Sequence, residues 1–195
     1  MGVVTARGRF VLVPLVWSVA CDKAPAPAIA KDGSDGLREL FAQAQAACGA
    51  KDFAKGAKIV SSIMPTKEQL RAALRADVAD DVVDHVVGQA KELPTDEEKT
   101  ACLLSPPGRT QIVVHRATTE ELLAHVEGTP AAVEFPAGAQ KLSPLLRPGV
   151  AFYEVETVEP GKDRGTKFHM FYWDGAQWRM LGPAWRYLPG AEPMQ

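Results

Sequence analysis

The sequence predicts an α+β fold in which amino-terminal helices pack on one face of a carboxy-terminal antiparallel sheet. Three observations lead to this prediction. Between residues 36 and 93 the apolar residues recur at helical spacing. From Thr110 onward the pattern changes to short runs rich in β-branched and aromatic residues. Nine of the fourteen aromatic residues lie between residues 152 and 187, where Asp174-Gly175 marks a hairpin.

The amino terminus has the pattern of a secretory signal peptide. Arg7 and Arg9 precede the run FVLVPLVWSVA at residues 10–20, in which Ser18 is the polar residue. At ~1.5 Å per residue this run is too short to span a hydrocarbon core of ~30 Å. Residues 1–20 are therefore predicted to be a signal peptide.

The end of this run, Ser18-Val19-Ala20-Cys21, resembles the bacterial lipoprotein signal, in which the Cys is lipidated and becomes the new amino terminus. Ser18 departs from the aliphatic residue usual in that family, and ordinary secretion is the alternative. The resemblance implies a bacterial envelope protein that is held to the membrane by a lipid anchor and faces the periplasm or the exterior. Residues 21–35, rich in Pro and Ala, are predicted to be a flexible tether, and residues 36–195 a single domain.

Two cysteines follow Cys21 in the chain. In an oxidising compartment, Cys48 and Cys102 would be expected to form a disulfide that closes a loop of 54 positions. The alternative is two buried thiols that behave as small apolar side chains. The sequence leaves these two possibilities open.

The helical part is predicted to contain several segments. They span residues 36–47, 51–64, 66–76 and 77–93. Ser34 or Asp35 is expected to cap the first, and the first two are expected to form an antiparallel hairpin. Thr66 and Gln69 have the spacing of a capping box, which predicts the start of the third segment.

The rest of the chain is predicted to be mainly strand. Strands are expected at residues 110–117, 131–135, 150–158, 166–173 and 177–181, and short helices at 118–126 and 139–146. This order of elements is similar to cystatin-like folds of the nuclear-transport-factor type. Residues 165–188 also resemble the ending of uncharacterised exported bacterial proteins, a resemblance that implies no activity.

Turn lengths predict how the last strands pair. A two-residue Asp174-Gly175 turn pairs Phe171 with Trp178 and His169 with Met180. The preceding hairpin is expected to pair Glu154 with His169, Glu156 with Lys167, and Phe152 with Phe171. One face then carries Phe152, Glu154, Glu156, Lys167, His169, Phe171, Trp178 and Met180. The other carries Tyr153, Val155, Phe168, Met170, Tyr172, Arg179 and Leu181.

The first of these faces mixes acids, a histidine and aromatic rings, which is typical of a ligand pocket. Glu154 and His169 are the candidate catalytic pair, since a carboxylate beside an imidazole can serve in acid–base chemistry. Phe171, Trp178 and Glu156 are the candidate ligand-binding residues. The alternative is a solvated sheet face with charge pairs across strands, its aromatic residues filling the core.

Other chemistry-bearing groups are weaker candidates. His85 lies among Asp80, Asp81 and Asp84, a pattern typical of a solvated helix face. His115 and His125 would need a third ligand to hold a metal, and the sequence identifies none. Nucleotide-binding glycine motifs are absent, as are the GxSxG and zinc-ligand spacings, so no metal and no cofactor is predicted.

Composition restricts the function classes. The 195 residues are 46% hydrophobic and 24% charged, with a formal net charge of -2, so nucleic acid is not a predicted partner. The leading hypothesis is a lipid-anchored binding or interaction module for a small ligand or a protein. The alternatives are a hydrolase-like or isomerase-like enzyme using Glu154 and His169, and a subunit of an envelope assembly. The tail residues Trp185, Arg186 and Tyr187 would serve as an interaction surface or as a strap over a sheet edge.

Overall fold

A computed structural model of the chain describes Gly2, residues 33–88, Lys91 and residues 93–188. All of these except Gly2 belong to the unit formed by residues 31–195. Apart from Gly2, the predicted signal peptide lies outside the described residues, as do the predicted lipidation site at Cys21 and most of the predicted tether. Among the residues described, no helix combines the length and the apolar character needed to cross a membrane.

The order of elements confirms the predicted α+β class. The helices are α1 (Ser34–Gly49), α2 (Phe53–Ile63), α3 (Lys67–Leu70), α4 (Asp80–Gly88), α5 (Glu97–Ala101), α6 (Thr119–Ala124), α7 (Pro130–Val133) and α8 (Ala137–Leu142). The strands are β1 (Gln111–Thr118), β2 (Ala151–Val158), β3 (Thr166–Trp173) and β4 (Trp178–Met180). A 3-10 turn lies between α8 and β2, at Ser143–Leu145, and another follows β4, at Ala184–Tyr187. The four strands form one antiparallel meander in the order β1-β2-β3-β4.

Local capping signals explain where several helices begin. Thr66 accepts from the backbone N–H of Gln69 while the Gln69 side chain accepts from the Thr66 N–H, which confirms the predicted capping box. Thr118 and Glu121 form a second box at the start of α6. The prediction for α1 is wrong in detail, because the helix begins at Ser34 and no side chain caps it.

Helices cover both faces of the sheet, which corrects the expectation of a single covered face. One core contains Phe41 and Leu37 of α1, Val60 and Ile63 of α2, and the sheet residues Tyr153, Val155, Phe171 and Trp178. The other core joins α3, α4 and α6–α8 to Ala117, Phe152, Met170 and Tyr172. Because both sides are covered, every residue of β2 from Phe152 to Val158 is buried.

The strand predicted at residues 131–135 is wrong, because residues 131–133 belong to the helix α7. Pro130 occupies the first turn of this helix, where its missing N–H costs nothing and its fixed φ favours helical geometry. Val133 of this segment is exposed and belongs to no strand. The residue that follows α7, Glu134, reaches the sheet through its side chain instead.

A disulfide between Cys48 and Cys102 ties the end of α1 to the residue after α5. The structure thus contains the pairing that the sequence left open. Nearby, a Cβ atom on Gly56 of α2 would lie 2.7 Å from the Cβ of Ala101 in α5. Glycine at position 56 therefore permits the close approach of α2 and α5 beside the disulfide.

Candidate functional site

A β-bulge organises the polar part of the sheet. Val155 pairs with Phe168, but Tyr153 pairs with Phe171, so one residue of β2 faces two of β3. The single residue is Glu154, and the two are His169 and Met170. Met170 has a positive φ of 61°, and its N–H donates to Glu154 Oε1 at 3.1 Å. The buried carboxylate thus satisfies the N–H of the bulge.

The bulge preserves one half of the predicted register and changes the other. Glu156 pairs with Lys167 as predicted, and Glu154 contacts His169. Beyond the bulge Phe152 pairs with Tyr172, so the predicted pairing of Phe152 with Phe171 is wrong. The extra residue reverses which face each later side chain of β3 occupies.

The turn after β3 also differs from the prediction. Trp173 pairs with Trp178 and Phe171 with Met180, so four residues rather than two connect the strands. Asp174 Oδ1 accepts from the N–H groups of Ala176 and Gln177, each at 2.8 Å. This side-chain turn stabilises the longer loop, a possibility that the Asp-Gly signal does not distinguish.

Two of the predicted ligand-binding residues therefore lie on the wrong face. Phe171 is fully buried and packs edge-on against Phe41 of α1, with ring centroids 5.6 Å apart. Trp178 packs edge-on against Tyr153 at 5.1 Å in the same core. Both rings belong to the apolar core beneath α1, and the carboxylates of β2 lie on the opposite face.

On that opposite face six side chains form what we call the polar cluster. They are His115, Glu134, Glu154, Glu156, Lys167 and His169. β1 contributes His115, and α7 places Glu134 at its carboxyl end. The alternation of β2 places Glu154 and Glu156 on one side, because side chains two residues apart share a face. Sequence reasoning found all of these except Glu134, which stands in a segment that it assigned to a strand.

Glu154 is held entirely by the protein. Its side chain has no exposed surface. Oε2 lies 2.6 Å from Nδ1 of His169, and Oε1 accepts from the Met170 N–H. Burial raises the pKa of Glu154, and the hydrogen bond from His169 offsets part of that rise. Glu154 therefore orients His169 and has no oxygen turned to solvent.

The second half of the cluster is built around Glu134. Lys167 Nζ donates to the Glu134 carbonyl oxygen and to its Oε2, both at 2.9 Å. His115 Nε2 lies 3.6 Å from the same Oε2. The hydrogen bond from Lys167 holds the pKa of Glu134 below its ordinary value. Glu156, 7% exposed, accepts from the backbone N–H of Gly165 through Oε1.

The tail packs on this side of the molecule. The Trp185 ring meets His169 edge-on at 5.5 Å, and Gly138 of α8 leaves the space that the indole occupies. Tyr187 stacks on His85 at 5.8 Å. Both tail rings are half-buried against α8 and α4, so this segment covers helices on the polar-cluster face.

The other candidate groups predicted from the sequence, around His85 and at His125, do not form a shared site. Asp80 pairs with Arg71 and Asp84 with Lys67, while His85 Nδ1 lies 2.7 Å from the carbonyl of Asp81. These acids are already matched by cations of the neighbouring α3 region. His125 ends α6 with a positive φ of 45° and does not join His115.

An open groove of about 520 Å³ lies elsewhere, lined by Arg71, Leu74, Arg75, Ala76, Asp77, Arg147 and Pro148. Arg75 donates to both oxygens of Asp77, and Arg71 pairs with Asp80. Two of its three arginines are thus engaged by carboxylates, which weakens the groove as an anion site.

Comparison with known proteins gives no match to a protein-family model, to a curated protein or to a solved structure. The polar cluster and the amino-terminal sequence are therefore the features of this chain that bear on its function.

Proposed function

We propose that the chain is exported to the bacterial cell envelope, is anchored there by a lipid on Cys21, and acts as a binding module. Its ligand-binding site is the polar cluster. The observation that carries the binding role is the convergence of three glutamates and two histidines on one covered face of the sheet. Glu154 and Glu156 are the buried members of this cluster, and because desolvating a carboxylate costs several kcal/mol, their burial side by side favours a functional role for the site.

The cysteine pairing supports the proposed compartment. Disulfides persist in oxidising compartments such as the bacterial periplasm. The Cys48–Cys102 bond uses the two cysteines that follow Cys21. Each of the three cysteines then has a role that fits an exported lipoprotein.

The state of Glu154 favours binding over catalysis by the predicted pair. A general base must reach the proton that it removes. Both oxygens of Glu154 are engaged by His169 and Met170, and the side chain has no exposed surface. Glu154 is consequently a positioning residue for His169 rather than a group that contacts a ligand.

Anchoring is tested by mass spectrometry of the chain recovered from a bacterial membrane fraction. We expect the mature protein to begin at an acylated Cys21 and expect Cys21→Ser to remove it from the membrane. Ser18→Leu, which restores the usual lipoprotein pattern, is the matched control and should remain acylated. An unmodified mature chain that begins at another residue would exclude the anchor.

The oriented imidazole favours one second candidate, an acid–base enzyme in which His169 acts and Glu154 positions it. The 2.6 Å contact to Glu154 at Nδ1 leaves Nε2 as the reactive nitrogen, on a side chain that is 28% exposed. Diethylpyrocarbonate labelling with peptide mapping measures access to that nitrogen. Failure to modify His169 while the exposed His85 is modified would exclude the enzyme candidate.

A further inference from the structure

We propose that the polar cluster binds one divalent transition-metal ion of the zinc class through His115 Nε2 and the carboxylates of Glu134 and Glu156. This inference rests on the proposed function, because it names the ligand class for the same site. The three side chains come from β1, from the end of α7 and from β2. Residues far apart in the sequence are thus brought to one point by the fold.

The spacing of the donor atoms fits a shared ion. One ligand atom from each of His115, Glu134 and Glu156 lies within 4.8 Å of the others. His115 Nε2 and Glu134 Oε2 are 3.6 Å apart. Two ligands bound to a tetrahedral ion by bonds of ~2.1 Å lie roughly 3.4 Å from each other, so this pair is already close to bonding geometry.

One carboxylate of the cluster, Glu156, forms no ion pair within the described part of the chain, although Lys167 lies opposite it on β3. Glu154 faces His169, and Glu134 faces Lys167. The partner of Glu156 is the neutral N–H of Gly165. Only 7% of Glu156 is exposed, and a divalent ion there would supply the close positive charge that no described ion pair provides.

The donor set indicates the class of ion. Imidazole nitrogen suits zinc and its transition-metal neighbours, whereas calcium and magnesium prefer sites built from oxygen alone. Three protein ligands and an open position are typical of zinc sites that also hold water. The proposed ion would therefore retain a position for water or for a small ligand.

Lys167 is the built-in competitor of the ion. Its ammonium donates both to Glu134 Oε2 and to the backbone carbonyl oxygen of Glu134. If the Glu134 carboxylate binds a metal ion instead, the Lys167 ammonium can still donate to the Glu134 carbonyl oxygen. Removing the positive charge at position 167 should consequently raise metal affinity, an outcome that a purely structural role for the cluster would not produce.

The test is calorimetric titration of Zn²⁺ into the mature acylated chain, purified in detergent and stripped of metal by a chelator. We expect one equivalent to bind. His115→Ala and Glu156→Gln should each lose affinity by at least about tenfold, while Lys167→Gln should gain it. His85→Ala, which removes a histidine outside the cluster, is the matched control and should bind as the unsubstituted chain does.

Co²⁺ is the second probe, since its visible spectrum reports the ligands directly. The bands expected for bound Co²⁺ should disappear in His115→Ala, and circular dichroism should show that this variant remains folded. Equal zinc affinity with and without His115 would overturn the proposal. So would the absence of binding by both the unsubstituted chain and Lys167→Gln, and neither result would alter the acylation measured separately at Cys21.

Discussion

Glu154 illustrates how one side chain serves the fold and the candidate site together. Its carboxylate accepts the N–H of Met170 in the bulge and fixes the imidazole of His169. The strand pattern predicted that Glu154 and His169 would meet, because a register derived from turn length holds up to the bulge. The bulge itself was not predictable, since methionine rarely adopts the positive φ found at Met170.

We expect Glu154→Gln to be tolerated and Glu154→Ala to be damaging. A glutamine can accept from the Met170 N–H and donate to Nδ1 of a neutral His169, so the loss should stay near 1 kcal/mol. Alanine leaves the buried Met170 N–H without an acceptor and the part-buried His169 without its partner, and it should cost about 3 kcal/mol. Urea unfolding followed by tryptophan fluorescence measures the difference.

The exposed Glu159, one residue beyond β2, offers a matched control for this comparison. Glu159→Ala should change the free energy of unfolding by no more than about 0.5 kcal/mol. If Glu154→Gln and Glu154→Ala proved equally stable, the carboxylate would not be what holds the bulge.

At the scale of elements, the sequence predicts well where the signal is local. The capping box predicted at Thr66 depends on side chains three residues apart and is present, and Thr118 forms a second box of the same spacing. The strand predicted at residues 131–135 is wrong because a short, mainly apolar run is as compatible with a helical turn as with a strand. The predicted length of the loop after β3 is wrong for a similar reason, because Asp174-Gly175 is compatible with both a two-residue and a four-residue turn.

The β3–β4 loop provides a prediction at this scale. Asp174 accepts from two backbone N–H groups, and its Oδ2 accepts from Arg179 Nε at 2.7 Å. Arg179, whose side chain is 5% exposed, also donates to the Ser62 carbonyl of α2. Asp174→Ala leaves that charge buried and unpaired and should cost about 3 kcal/mol in the free energy of unfolding.

The stabilisation by the Asp174–Arg179 ion pair depends on pH, and the sign of this dependence follows from the pKa of Asp174. Burial raises the pKa of Asp174, but the hydrogen bonds from Arg179, Gln177 and Ala176 outweigh it, and the net pKa lies below its ordinary value. The stabilisation is therefore present above the unfolded pKa of about 3.9 and is lost as the pH falls through the folded pKa.

The stability gap between the unsubstituted chain and Asp174→Asn should thus narrow as the pH is lowered from about 7 towards 3. Asp163→Asn, in the exposed β2–β3 turn, is the control and should show no such change. A gap of constant size across this range would mean that the charge of Asp174 does not contribute.

At the scale of the whole described unit, the sheet separates two cores, and the sequence did not reveal this. The aromatic residues of β2 and β3 fill both sides, because strand alternation places Phe171 and Tyr172 on opposite faces and the bulge decides which core each enters. A pattern of alternating residues predicts two faces but not whether water or protein covers each. The sequence left open whether the face of Glu154 and Glu156 is a pocket or a solvated surface, and the burial of both side chains excludes the solvated surface.

The disulfide connects two helical segments of this unit that are far apart in the sequence. It joins Cys48 to Cys102, 54 positions apart, and the intervening residues include α2, α3 and α4. Closing a loop of this length restricts the unfolded chain and should stabilise the native state by roughly 4 kcal/mol. Replacing both cysteines by alanine should remove that amount in urea unfolding.

Reduction of the unsubstituted chain should reproduce the effect, because it frees the same loop without altering a side-chain volume. The dependence of the unfolding free energy on urea should also steepen, since an open unfolded chain exposes more surface. The Cys48→Ala/Cys102→Ala variant controls for other actions of the reductant and should not respond to it. An unfolding midpoint unmoved by reduction would show that packing between α1, α2 and α5, and not the covalent link, sets the stability of this half.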